Sequence, residues 1–120
     1  MQKLAISMSE HPDHSEVEIV TFEGDFDGYA KENITEIQQY VDEITEANTI
    51  VFDFSKLNYL NSYAIGHLVA WHNHVKKLGG KIIIIGVNKN VEDIFAILGI
   101  SSVFKVYPDL DAAASEFGTT

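Results

Sequence analysis

The chain has 120 residues, 46% of them apolar, with 18 acidic side chains against eight basic ones and a formal charge of −10. That length holds one core rather than two, and the charge repels phosphate backbones and anionic lipid surfaces alike, so direct nucleic-acid binding is not expected. The absence of cysteine removes disulfide scaffolds, thiol catalysis and Cys-based zinc sites.

No basic-then-apolar leader is visible at Met1, Gln2, Lys3 and Leu4, and no apolar run reaches bilayer length, so a cytoplasmic protein is expected. Leu4, Ile6 and Met8 alternate as in a half-buried strand, and residues 17–23 form a second β-rich run. The polar stretch 10–15, containing Pro12, separates the two as the loop of an antiparallel hairpin. Ala30, Ile34, Ile37, Val41 and Ile44 then keep a helical period, with Asp27 and Gly28 supplying a turn and a cap.

After Asn48 the pattern alternates between strand and helix. Ile50, Val51, Phe52 and Phe54 are β-rich, whereas Ile65, Leu68, Val69, His72 and Val75 recur on one helix face. Gly79-Gly80 reads as a helix stop, and residues 81–87 as a buried central strand. Asn90 and Asp93 have capping-box spacing, Val91, Ile94, Phe95 and Leu98 make an inner stripe, and Gly99 suits a left-handed stop. Pro108 opens a last helix with Leu110, Ala113, Ala114 and Phe117 on its buried side. This order predicts an α/β layer fold, about four helices and right-handed crossovers in a single domain over residues 1–120.

Ser62 lies where the strand pattern ends and the helix pattern begins. The first backbone N–H groups of a helix lack intrahelical partners and carry partial positive charge, so an added phosphate is tolerated there. Asn61 or Ser62 is also a natural helix cap, worth about 1 kcal/mol. Other chemistries fit less well. His67 is turned roughly 140° from Ser62 on a helix and His72 lies about 15 Å further along, so neither is its base. The five histidines lack the spacing to hold one metal ion together, and His72 reads as a hydrogen-bonded core histidine. Gly79-Gly80 matches no nucleotide-binding spacing.

The segment DFSKLNYLNSYAIGHL, from Asp53 to Leu68, resembles the serine loop of the STAS domain in bacterial anti-sigma factor antagonists. Asp53, Ser55, Leu57, Leu60, Ser62, Ile65, Gly66 and Leu68 fall on that pattern. Gly24-Asp25-Phe26-Asp27 resembles the family's early turn, Gly79-Gly80-Lys81-Ile82 its approach to the next strand, and the positions from Val91 to Val106 its closing block. The resemblance spans roughly residues 17–117. It implies a mixed, mostly parallel sheet with an N-terminal antiparallel hairpin.

It also implies a binding module rather than an enzyme, with no cofactor or metal of its own. In its unmodified form such a protein docks on an anti-sigma factor, which is itself a serine kinase carrying ATP and magnesium, and releases a sigma factor. Phosphorylation of Ser62 abolishes docking and a PP2C-type phosphatase resets it. Asp27, Asn61, Tyr63 and Ile65 are the partner-contact candidates. Two departures stand out: Asn61 replaces the Asp that usually precedes the serine, and Tyr63-Ala64 replace a small residue and a glycine. They keep a second expectation open, a STAS scaffold subunit of a larger regulatory or transporter-associated complex that is never phosphorylated.

Overall fold

Strand periodicity is realised as five strands, β1 (Ala5–His11), β2 (His14–Phe26), β3 (Thr49–Leu60), β4 (Lys81–Ile85) and β5 (Lys105–Tyr107), in one sheet whose spatial order follows chain order. The structure, a computed structural model, describes residues 3–27 and 30–117. β1 runs antiparallel to β2, and the remaining neighbours are parallel. The hairpin is tighter than the polar run 10–15 suggests: His11 pairs with His14 and only Pro12 and Asp13 turn. Pro12 pre-sets the backbone, and the Asp13 N–H donates to His11 Nδ1 at 3.0 Å.

Three α-helices connect the parallel strands: α1 (Lys31–Asp42), α2 (Ser62–Lys77) and α3 (Lys89–Ile97). Right-handed crossovers between strands laid down in order put all three on one face. Ile37, Leu68, Trp71 and Phe95 accordingly pack with Phe22, Phe52 and Ile84 in one cluster. The other face has a smaller cluster, in which Ala113 and Phe117 cover Val17, Val51, Ile83 and Ile85. β4 is therefore covered on both sides, as its run of isoleucines implies.

Several local expectations need correction. The fourth helix is a five-residue 3₁₀ helix, Ala112–Glu116, with Ala114 exposed; Asp109 Oδ1 accepts the Ala112 N–H at 2.8 Å and Glu116 anchors the far end, so the segment is held by its ends rather than by a long apolar stripe. The N-cap position of α1 is Ala30, whose side chain makes no capping bond; Asp27 lies three residues earlier with its carbonyl accepting the Ala30 N–H at 3.2 Å, and Gly28 lies outside the described residues. The cap of α3 is Asn88, not Asn90: its Oδ1 accepts the Val91 N–H at 2.8 Å while its Nδ2 donates to Leu57 O at 2.9 Å. Leu98 sits at the end of that stripe but is 46% exposed. Gly79 stops α2 at φ 84°, and Gly80 permits a close approach, since a Cβ there would lie 2.3 Å from Asn48 O.

Candidate functional site

β3 continues beyond its neighbour. Its pairing with β4 ends at Asp53 and Ile85, whereas its pairing with β2 runs on to Leu60 and Phe26. Two register shifts each give β3 one extra residue relative to β2, near Ser55 and near Asn58. Such bulges add twist and re-aim the strand. The Asp53 carboxylate supports the first by accepting the Ser55 N–H at 2.9 Å. The chain is thereby carried out past the sheet before it turns into α2.

At that turn Asn61 is extended (φ −116°, ψ 179°), and its Oδ1 accepts the Ala64 N–H at 3.1 Å. Its carbonyl takes the first helical bond from the Ile65 N–H at 3.1 Å, and its own N–H donates to Phe26 O at 3.4 Å. Asn61, not Ser62, is the cap. Ser62 becomes the first residue of the helix, with an exposed side chain that has no hydrogen-bond partner among the described residues and no acidic neighbour in the first turn. The contact with Phe26 brings the end of β2, and with it Asp27, alongside the serine loop.

The partner candidates separate by burial. Tyr63 is 50% exposed and stands over His67, with ring centroids 5.0 Å apart; His67 in turn lies 5.7 Å from Trp71. Trp71 is buried and anchored, its Nε1 donating to Gln38 Oε1 at 2.7 Å. An exposed aromatic is thus braced by a ladder reaching into the core. Asp27 is only 7% exposed, so it belongs to the wall of the site more than to its face. Ile65, at 5%, is withdrawn into the core beneath this surface.

Two features of this surface, the exposure of Tyr59 and that of Gly66, were not read from the sequence. Tyr59, 46% exposed, adds a second aromatic just before the turn, and its place after Leu57 in a broken alternation was the available signal. Gly66 is exposed, and a Cβ added there would meet nothing within 4 Å. The inward face of α2 is also rotated from the expected one: Trp71 is buried, whereas Val69 and His72 are only half-buried. Among the described residues His72 has no hydrogen-bond partner: its Nδ1 is buried unpaired and its ring packs 5.0 Å from Phe104.

A single five-stranded mixed sheet with its three α-helices on one face, and a capped serine turn at the end of an overlong strand, define a STAS-type domain. The STAS domain pattern matches residues 5–113, and the chain belongs to that family. Among solved structures, an anti-sigma factor antagonist from Mycobacterium paratuberculosis superposes with a TM-score of 0.78 at 21% identity, over 94% of this chain and 92% of that one. The phosphorylated form of the Bacillus cell fate determinant SpoIIAA gives 0.67 at 16% identity, over 92% and 97%. A murine solute carrier 26 family anion transporter gives 0.73 at 13% identity, over 96% of this chain but 22% of that one. These likenesses show a common fold. Among the described residues no helix is long and apolar enough to cross a membrane.

Proposed function

We propose that the protein is an anti-sigma factor antagonist that docks on an anti-sigma factor through the surface around Ser62, so releasing a sigma factor, and that phosphorylation of Ser62 switches docking off. The observation that carries this reading is the exposed Ser62 hydroxyl in the first turn of α2, relieved of capping by Asn61. A phosphate there sits at the favourable end of the helix dipole, so modification leaves the fold intact. In a close interface the same phosphate adds desolvation cost and repulsion, and about 3 kcal/mol of either weakens binding roughly a hundredfold. Asn61 and Tyr63, beside the acceptor, are the direct partner contacts, with Asp27 forming the wall behind them and Ile65 supporting the surface from beneath. The kinase is the anti-sigma factor, and a PP2C-type phosphatase restores the serine.

Incubation with an anti-sigma kinase and ATP, followed by intact mass and site mapping, should find one phosphate, on Ser62. Ser62→Ala should keep its affinity for the kinase while Ser62→Asp loses it. Equal affinity of the two variants, or a chain that stays unmodified, would overturn the switch.

A scaffold role in a larger regulatory or transporter-associated complex is the second reading. It is favoured by Tyr63, a bulky residue beside the acceptor, and by Asn61, which lacks a carboxylate. Native purification discriminates: a co-purifying serine kinase supports the antagonist, and a multi-STAS particle or a transporter supports the scaffold.

A further inference from the structure

At the opposite end of α2 the charge balance of the molecule reverses. A cavity of about 300 Å³ is lined by His72, Lys76, Lys81, Lys105 and Glu116 together with apolar side chains. Three of the chain's eight basic residues thus meet one of its 18 carboxylates, in a protein of formal charge −10. Glu116 is 90% enclosed as a side chain and takes Lys81 Nζ on one oxygen and Lys105 Nζ on the other, each at 3.1 Å; Tyr107 Oη donates to the second oxygen at 2.5 Å. Lys76 has no ion-pair partner among the described residues. Beside that lysine, His72 Nδ1 is buried with no hydrogen-bond partner among the described residues.

Helix-dipole complementarity explains Lys76 in the last turn of α2, and Glu116 explains Lys81 and Lys105. What is left around one cavity is a single carboxylate for three lysines, and a buried imidazole nitrogen with no partner among the described residues. Buried polar atoms are ordinarily partnered, and several ammonium groups lining one concavity favour an anion within it. Glu116 behaves as a built-in ligand: a carboxylate delivered by the C-terminal 3₁₀ helix into a nest of donors that has capacity left over.

We propose that this cavity is a binding site for a small tetrahedral oxyanion, the phosphate group of a free phosphate or an alkyl phosphate, held by Lys76, Lys81 and Lys105 with His72 at its wall, and that Glu116 competes with it internally. A dianion restores charge balance and supplies acceptors for lysine donors that Glu116 alone does not saturate. The site is independent of Ser62 and does not rest on the antagonist reading, because α2 of 16 residues places the two ends roughly 24 Å apart.

The test is a nuclear magnetic resonance titration of the whole chain with inorganic phosphate and, separately, glycerol phosphate, each against sodium chloride at matched ionic strength. Saturating shifts at His72, Lys81 and Lys105 are expected with at least one of the two, and which one saturates identifies the source. The His72 imidazole, faced by Lys76, Lys81, Lys105 and Glu116, should gain proton affinity when the oxyanion is bound. Lys76→Gln changes an exposed, unpaired residue and should weaken binding by about tenfold, the loss of one charge-assisted contact. Glu116→Gln should tighten binding severalfold. Linear shifts matched by chloride, or equal affinity in wild type and Lys76→Gln, would overturn the proposal.

Discussion

Asn61 Oδ1 and the Ala64 backbone N–H meet at 3.1 Å, and this contact is what frees the neighbouring Ser62 from structural duty. Aspartate at this position could make the same bond and would bring a negative charge to the favourable end of the helix. Asn61→Ala should therefore cost about 1 kcal/mol in chemical denaturation, while Asn61→Asp holds stability within a few tenths. A full loss in Asn61→Asp would mean that the amide nitrogen, not the oxygen, matters.

Tyr63 and Ile65 are two residues apart and should fail in different assays. Tyr63 is half-exposed and braced by His67, so Tyr63→Ala should leave unfolding nearly unchanged while weakening partner docking by about 2 kcal/mol if it is an anchor. Ile65 is buried, so Ile65→Ala should cost about 2–5 kcal/mol of stability. Calorimetric binding paired with denaturation of each variant separates the two roles.

Gly66 offers a sharper contrast. An exposed glycine inside a helix costs up to about 1 kcal/mol relative to alanine, and a Cβ there meets nothing within 4 Å. Gly66→Ala should thus stabilise the isolated protein by about that amount. If the serine turn is a docking surface, the same methyl intrudes on the partner and lowers affinity. Gly80→Ala is the control for a glycine that the fold itself needs: its Cβ would fall 2.3 Å from Asn48 O, for a loss of about 1–3 kcal/mol.

Much of this arrangement was legible in the residues because local and global signals agree. The isoleucines of β4, the period of α1, Gly99 at φ 72° and the start of α2 at Ser62 all lie where pattern alone puts them. What escaped was set by long-range geometry. The extension of β3 to Leu60 depends on pairing with β2 and on two bulges, which no periodicity reveals once the alternation is broken. Trp71, rather than His72, turns inward on α2 because Gln38 of α1, 33 residues away, accepts its indole N–H. Both Asn61 and Asn88 cap helices in the same way, yet the second was hidden by Asn90, two residues on and equally plausible as a cap.

Glu116 ties the C-terminal segment to β4 and β5, and this tie makes stability pH-dependent. The Tyr107 hydroxyl, with the ammonium groups of Lys105 and Lys81, holds its carboxyl down at about 2, below the ordinary 4.5, against the opposing effect of burial. For a group whose folded value is depressed, the stabilisation is fully present above the unfolded value and fades as pH falls toward the folded one. The contribution of Glu116 should therefore be complete at pH 6 and disappear progressively between about 4.5 and about 2. Glu116→Gln should be less stable than wild type at neutral pH, with the gap closing across that window until the two denaturation curves converge near pH 2. A gap that stays constant from pH 6 to pH 2 would mean that packing of the 3₁₀ helix, with Ala113 and Phe117 against Val51 and Ile83, holds this segment without help from the carboxylate.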